Sequence, residues 1–502
     1  MVEPIRLDAD ALGVVKLDDA VDAARPGNLF PSGVAWVASQ QNPRLIRVVE
    51  AELAHGYRLR PVEIVRVPKH DRTTRPAADM PQRDQLVYTA LVAALRAEVP
   101  PAYVTFTGEG EEGLSYEEFE QFPLTVEGTS YVLEADAAAF YQYIDHERLA
   151  YELIGLTGMA PIAEVLVTAL EGWMNAPRGL PQGPRASQSL ADIYITPAAR
   201  ALARAGFASS RYSDDFRVPV GDWTGVKAAQ LALEEAFYDL GLAVAPGKLK
   251  TPRIATYRQW LETVHDPRIT SEASLAALAA METEEYFSGA WEPAEVTDEQ
   301  VTDASEVLNE QLAIQAVSVT TTRLVRRSLG LLAGARSSNA LPLLSRLLTQ
   351  YAHLTPAICS YLKALLQSSH ETAAVRAVLR QLQGDYSRMA WQVGWLLHAL
   401  SLSSNPRADV ADVVRPRLFD DSLPWFARSA AARATAVHGA LPPLDEYFGV
   451  YERATDAARP DLVAAVVVAA PSWTSRFLTG IGPDPLLRDI TDYGPEVVRQ
   501  WF

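Results

Sequence analysis

The sequence predicts two unlike halves, an α+β body over roughly the first 260 residues and then an all-α array of short helices. Three observations carry this. An apolar run, Tyr131 to Leu133, leads to an acid, Asp136. A second stretch of strand character, Ser210 to Val220, contains the pair Asp214 and Asp215. Beyond residue 306 nearly every segment is rich in Ala, Leu and Val at helical spacing, divided by short polar breaks.

Taken in order, residues 1–57 form an N-terminal extension with a turn at Pro26 to Asn28 and a helix over Pro43 to His55. Arg58 to Arg83 is a basic island of seven Lys or Arg against three acids, Glu63, Asp71 and Asp79. Glu109 to Glu120 holds six acids and reads as a solvated loop or an edge facing away from a template. The strand ending near Asp136 is followed by Phe140, Tyr141 and Ile144. In RGLPQGPRASQSLADIYI, Arg178 to Ile195, Gly179, Pro181 and Gly183 make a loop that runs into a helix. Glycine lets backbone approach a nucleotide there, and the helix dipole favours anions. Ser210 to Val220 reads as one strand with a sharp turn at the acid pair.

Adjacent carboxylates raise each other's pKa, and a divalent cation reverses that penalty. An acid ending one strand can meet an acid pair on a neighbouring hairpin, so that two Mg²⁺ ions (Mn²⁺ as a substitute) about 4 Å apart activate an attacking hydroxyl and stabilise leaving pyrophosphate.

At this point a resemblance emerges. Asp136 with Phe140 and Tyr141, GLPQG with Ser187, Leu190 and Ala191, and YSDD resemble motifs A, B and C of reverse transcriptases. RVPKHDRTTRP, Arg66 to Pro76, is similar to the fingers signature, and GLAVAPGKLKT, Gly241 to Thr251, to motif D. The resemblance covers about two fifths of the chain, from Arg58 to Thr251. It implies a fingers-palm domain over 58–264 that catalyses DNA nucleotidyl transfer. Asp136, Asp214 and Asp215 would then be the catalytic, metal-holding acids, with Asp215 the looser ligand. Lys69 and Arg75 would grip the triphosphate, and Tyr141 would crowd a ribose 2′-hydroxyl, favouring dNTPs. Gln182 and Gly183 would line the nucleotide, and Lys248 would protonate pyrophosphate. Ile254 to Val264 only loosely resembles the primer-grip region.

The second half is expected to divide into an acidic linker or thumb-like segment, 265–306, and an α-helical domain, 307–502. Apolar stripes run through Leu324, Val325, Leu329 and Leu332, through Leu343, Leu344, Leu347 and Leu348, and through Leu362, Leu365 and Leu366. SSNALP at 337–342, SSNP at 403–406 and LPP at 441–443 read as helix starts with proline in the first turn. These features predict a HEAT-like stack without a strict period, with a plain helical bundle as the alternative.

Composition narrows the function. A net charge of −17 argues against a protein that coats nucleic acid indiscriminately. The single cysteine, Cys359, excludes an internal disulfide and a multi-Cys zinc site, and reads as a buried thiol. With no leader peptide visible and Leu462 to Ala470 too short to span a bilayer, a cytoplasmic protein without a membrane partner is expected.

The chain carries no RNase H cluster, maturase domain or VTG-type thumb. A palm followed by helical repeats is similar to the bacterial abortive-infection reverse transcriptases of the defence-associated unknown group. That resemblance implies phage defence, homo-oligomers, and untemplated DNA synthesis in which a tyrosine hydroxyl is the primer and the DNA product stays covalently attached. The priming residue is not specified. Tyr286, Tyr351, Tyr361, Tyr386, Tyr447, Tyr451 and Tyr493 lie in the C-terminal half. Two alternatives stay open: an RNA-templated enzyme copying a partner noncoding RNA, and a non-catalytic sensor or scaffold using the fold as a ligand switch. The aromatic residue at 141 disfavours an RNA-dependent RNA polymerase.

Overall fold

The structure, a computed structural model, describes residues 4–502 apart from positions 26, 28, 32, 41, 71, 72, 101–115, 265–295, 315, 385–388, 475, 476, 478 and 480–483. It is mixed α+β and about 66% helical. In chain order come helices α1 (Ala9–Val14), α2 (Leu17–Ala20), α3 (Val34–Ser39) and α4 (Pro43–His55), strands β1 (Glu63–Pro68) and β2 (Thr74–Asp79), and helices α5 (Gln82–Glu98) and α6 (Tyr116–Thr125). Strand β3 (Tyr131–Asp136) leads into α7 (Phe140–Tyr143), α8 (His146–Thr157), α9 (Ala160–Met174) and α10 (Arg185–Arg204). Strands β4 (Ser210–Tyr212) and β5 (Asp215–Val220) precede α11 (Trp223–Asp239) and α12 (Ile254–Val264).

The remainder is helical: α13 (Asp298–Ala313), α14 (Val319–Gly334), α15 (Leu344–Gln350), α16 (Thr355–Leu366), α17 (Glu371–Gln383), α18 (Ala390–Ser401), α19 (Ala408–Leu418), α20 (Trp425–Val437), α21 (Leu444–Arg453), α22 (Arg459–Ala469), α23 (Pro485–Asp492) and α24 (Pro495–Gln500). No helix among the described residues is long and apolar enough to cross a membrane.

Two compact units result, and they do not follow the linear division expected from sequence. The first comprises Met1–Arg25, Ile46–Arg60 and Arg83–Thr263; the second comprises Pro26–Leu45, Pro61–Gln82 and Val264–Phe502. The β1–β2 hairpin, expected in the same domain as the acids, therefore belongs with the helical array. Most of the expected acidic linker, 265–295, lies outside the described residues.

In the first unit β3, β5 and β4 form an antiparallel sheet with β5 central in hydrogen-bonding order. The other edge of β3 is covered by the segment after α11. Lys250 N–H donates to Glu134 O at 3.0 Å, Val132 N–H to Pro252 O at 3.0 Å, and Ala245 N–H to Asp136 O at 2.8 Å. Sheet residues Leu133, Ala135, Phe216 and Val218 are buried with Phe237 of α11. Local signals place these elements. Asp222 caps α11 by accepting from Gly225 N–H at 2.7 Å, Asp145 caps α8 by accepting from Arg148 N–H at 2.9 Å, and Gly158 closes α8 at φ +70°. The expected solvated acidic loop is corrected in its described part: residues from Tyr116 are helical, and Glu120 is 2% exposed because its turn of α6 packs on the sheet, where Glu120 O accepts the Tyr257 hydroxyl.

In the second unit α14, α16, α18, α20 and α22 lie side by side as one row, with α17 and α19 packed behind it. Helices α16, α18 and α20 begin at Thr355, Ala390 and Trp425, 35 residues apart each time, a period the sequence alone did not reveal. Leu324, Val325, Leu329, Leu332, Leu362, Leu365 and Leu366 are buried as their stripes predict, and Cys359 is a core thiol whose pKa burial pushes up. The prolines act differently from the expectation. Pro342 sits in a 3₁₀ turn, Pro406 precedes Arg407 ahead of α19, and Pro443 flanks α21, so each ends the approach to a helix rather than entering its first turn. Segments from early in the chain complete this unit. Asp461 of α22 accepts Val34 N–H at 3.0 Å, Trp391 Nε1 donates to Leu29 O at 2.5 Å, and Glu63 of β1 accepts Trp425 N–H at 2.8 Å.

Candidate active site

The expected single strand over Ser210 to Val220 is a hairpin. Tyr212 pairs with Asp215, leaving Ser213 and Asp214 as a two-residue turn with Ser213 at φ +54°. Positive φ in a two-residue turn matches the right-handed twist of the flanking strands. The turn therefore falls one residue before the expected place: Asp214 sits at the tip and Asp215 begins β5. In the same register Asp215 stands opposite Asp136, so that the two carboxylates face across adjacent strands with Asp214 next to them.

Asp136 is 4% exposed, and burial, then Asp214 and Asp215, push its pKa up. Asp214 is shifted the same way, by burial first and then by Asp215. Lys248 opposes both shifts. It closes the 3₁₀ turn Pro246–Lys248 and forms an ion pair with Asp136 through Nζ and Oδ2. Burial works against its ammonium, but Asp136, Asp215 and Asp214 outweigh that cost and keep it charged.

The loop from Arg178 to Gly183 forms the adjoining wall. Gly179, at φ +95°, donates to Ile144 O at 2.8 Å; a Cβ there would lie 3.5 Å from the backbone oxygens of Tyr141 and Gln142. This close approach explains the glycine. Leu180 N–H donates to Tyr141 O at 2.8 Å, tying the loop to α7. His146 Nε2 lies 2.6 Å from Gly179 O, and Ser187 Oγ donates to Pro181 O at 2.6 Å while lying 2.9 Å from the Tyr88 hydroxyl. Gly183, at φ +134°, and Gln182 are half-buried at the loop's end, just ahead of α10. Tyr141 is also half-buried, whereas Phe140 beside it is 3% exposed; the two rings thus have separate duties, Phe140 filling the core.

The structure brings Asp136, Asp214, Asp215 and Lys248 together in the first unit, with Tyr141, Gln182 and Gly183 on elements of that unit. Lys69 and Arg75 lie instead on the β1–β2 hairpin of the second unit, where Lys69 N–H donates to Thr73 O at 2.8 Å; Asp71 and Arg72 of the same motif lie outside the described residues.

One constellation was not anticipated. Arg211, just before the hairpin turn, forms an ion pair with Asp192 of α10, both side chains being 2% exposed. Its guanidinium also donates to Ser213 O at 2.9 Å and to Thr196 Oγ1 at 3.1 Å. Burial pulls Arg211 down, while Asp192 and Asp214 hold it up. The signal was present in sequence as two opposite charges, in RYS and LADIY, but only the packing of α10 against the hairpin shows that they meet.

The donor set suits a hard divalent cation: carboxylate oxygens only, on a rigid strand and an adjacent turn, with mutual repulsion that a cation would relieve. As placed, no group of three His, Cys, Asp or Glu side chains among the described residues is gathered tightly enough to enclose an ion, and Asp136 is engaged by Lys248. Holding a metal here requires Asp136 to exchange that ammonium for it.

The C-terminal tyrosines differ in their burial. Tyr351, Tyr361, Tyr447 and Tyr451 are 0 to 5% exposed, and burial raises each hydroxyl pKa. Tyr493 is half-buried with its ring against Trp501, and Tyr286 and Tyr386 lie outside the described residues.

No protein-family model matches the chain, and no curated protein matches it.

Proposed function

We propose that the chain is a DNA nucleotidyltransferase of reverse transcriptase type, acting on dNTPs in anti-phage defence. The observation that carries this reading is the cross-strand pairing of Asp136 with Asp215 beside the Asp214 turn, walled by the Gly179–Gly183 loop that opens α10. Asp136, Asp214 and Asp215 would hold the metal. When bound, Mg²⁺ or Mn²⁺ supplies Lewis-acid stabilisation of the triphosphate oxygens and lowers the pKa of the attacking hydroxyl.

The residues then divide the work. Lys248, freed from Asp136, holds a proton beside the reacting phosphates and can give it to departing pyrophosphate. Tyr141 presents a ring from α7 against the sugar, and the Gln182–Gly183 backbone admits the nucleotide closely. Arg211 fixes the carbonyl of Ser213 and with it the turn that carries Asp214. An abortive-infection enzyme of this kind synthesises DNA without a template from a tyrosine hydroxyl. An accessible tyrosine is required, which supports looking beyond the four buried ones.

The test is incubation of purified protein with Mg²⁺ and each labelled dNTP, without template or primer, followed by denaturing electrophoresis before and after protease and RNase. Label released only by protease is expected. Incorporation abolished by RNase pretreatment would replace this reading with copying of a partner RNA. Absence of any incorporation, with phage defence intact in the Asp214→Ala, Asp215→Ala double variant, would establish a sensor or scaffold instead.

A further inference from the structure

The loop that walls the site is fastened from several sides before it reaches Gln182. Residues 144–146 and 177–179 run antiparallel, with Asp145 bridged to Arg178, Gly179 N–H donating to Ile144 O at 2.8 Å and His146 N–H donating to Pro177 O at 3.2 Å. Leu180 N–H then reaches Tyr141 O at 2.8 Å. Two side chains complete the attachment: His146 Nε2 lies 2.6 Å from Gly179 O, and Ser187 Oγ donates to Pro181 O at 2.6 Å. Gly179, Leu180 and Pro181 are each tied down, and Gln182 and Gly183 follow directly.

The position of each proton follows from its partner. Gly179 O can only accept, so the proton sits on His146 Nε2. Nδ1 of the neutral ring is then an acceptor, and it is sealed from solvent with no hydrogen-bond partner. The imidazole is 0% exposed, and its burial lowers the pKa and keeps it neutral. An unpaired buried nitrogen costs stability, and an apolar side chain of similar size would avoid that cost. Packing alone therefore does not account for a histidine here, whereas its bond to the loop does. Ser187 uses its one proton on Pro181 O, so the Tyr88 hydroxyl, 2.9 Å away, is the donor to Ser187 Oγ. Tyr88 of α5 is itself 0% exposed, edge to face with Trp173 of α9 at 5.3 Å between ring centres.

We propose that His146 and Tyr88 are positioning residues that lock the Gly179–Pro181 backbone to α7, and that this lock sets how well the site separates deoxyribose from ribose. The inference rests on the polymerase reading and deepens it. A ring excludes a hydroxyl only if the nucleotide cannot slide away from it. In that reading the sugar lies between the Tyr141 ring and the Gln182–Gly183 backbone, and the Leu180–Tyr141 bond sets their spacing. A misplacement of about 1 Å is enough to cost such a site its selectivity.

The test measures kcat and KM of the full-length protein for dATP and for ATP. His146→Leu fills the space without a donor, His146→Gln places an amide donor where Nε2 stands, and His146→Asn places one where Nδ1 stands. Tyr88→Phe keeps the ring against Trp173 and removes only the hydroxyl. His146→Leu and His146→Asn are expected to raise KM for dATP and to lower the preference for dATP over ATP in kcat/KM, each roughly three- to tenfold, the effect of one hydrogen bond. His146→Gln should restore most of both. Tyr88→Phe should shift both the same way by less, because Ser187 still donates to Pro181 O. A merely structural role would reduce the active fraction, lowering kcat equally for the two nucleotides while KM and the preference stay where they were. Should His146→Leu fail to fold, His146→Asn and Tyr88→Phe decide. The inference alone is overturned if the parent incorporates nucleotide and every folded variant shares its KM and preference, or if His146→Gln is as impaired as His146→Asn. A parent that incorporates no nucleotide overturns the polymerase reading, and this inference with it.

Discussion

Replacing Asp192 by Ala tests whether the Arg211 ion pair positions the turn that carries Asp214. The substitution leaves a guanidinium that is 2% exposed at its side chain without its carboxylate, while Ser213 O and Thr196 Oγ1 remain as neutral acceptors. Breaking one side of a buried pair costs about 3–5 kcal/mol, because the surviving charge is uncompensated. Two acceptors remain, so the lower end, about 3 kcal/mol, is expected; that equals a roughly 150-fold rise in an opening constant. A chain with two compact units need not unfold in one step, so a single midpoint is the wrong readout. Hydrogen exchange read by mass spectrometry on peptides covering 208–220 isolates the hairpin. The expected result is a loss of protection there of about two orders of magnitude, together with loss of dNTP incorporation, whereas peptides of α18 and α20 are unchanged. Asp192→Asn keeps an acceptor and should fall between the parent and Ala. Unchanged protection of the hairpin in Asp192→Ala would refute the argument, since Arg211 would then be held without its partner.

Other expectations follow from the same geometry. Gly394→Ala would gain about 1 kcal/mol of helix propensity, yet its Cβ would collide with the Phe426 ring and meet Ala427 Cβ at 3.0 Å, so a net loss of about 1–2 kcal/mol in the second unit is expected by chemical denaturation. Burial raises the Asp84 carboxyl to about 6 against the pull of Arg60 and Trp173; its proton is thus held more tightly in the folded state, and stability should fall as pH rises from about 4 to about 6, then level off. Asp84→Asn should flatten that segment of the pH–stability curve, and an unaltered slope would show that other groups cause it. Lys248→Met should tighten Mn²⁺ binding in an electron paramagnetic resonance titration by removing the cation that engages Asp136, while lowering incorporation; weaker Mn²⁺ binding would show that the lysine does not compete for the carboxylate. Tyr141→Ala should let rNTPs compete with dNTPs, and unchanged sugar selection would remove Tyr141 from the gate.

Elements with a local cause were legible in sequence. Helix α4 spans Pro43 to His55 as its periodicity predicts, β3 ends at Asp136, and the buried leucine stripes of α14 and α16 follow from helical spacing. Within the candidate site, the presence of acids, glycines and a lysine could be read, but their meeting could not. The Asp136–Asp215 register, the Lys248 ion pair and the Arg211–Asp192 bond join residues distant in sequence, and no local periodicity encodes such partners. The 35-residue repeat escaped notice because equivalent positions conserve shape and place rather than residue type: Ser328, Lys363, His398 and Arg433 share a position and no chemistry beyond polarity. The β1–β2 hairpin was assigned by its place along the chain, whereas its packing surface, where Glu63 accepts the first N–H of α20, belongs to helices more than 350 residues away.

That interleaving has a consequence for how the chain is made. The backbone N–H of Val34 finds its acceptor on Asp461, 427 residues later. At about 5–20 residues per second of synthesis, roughly 20–85 s pass before that carboxylate exists. For that interval Val34, Trp36, Val65 and Val67, all destined for the interior, have no surface to rest on. The nascent chain must therefore carry unfinished apolar segments past a first unit that can already close around its own sheet. A chain truncated after residue 264 would leave those segments without the surface that buries them.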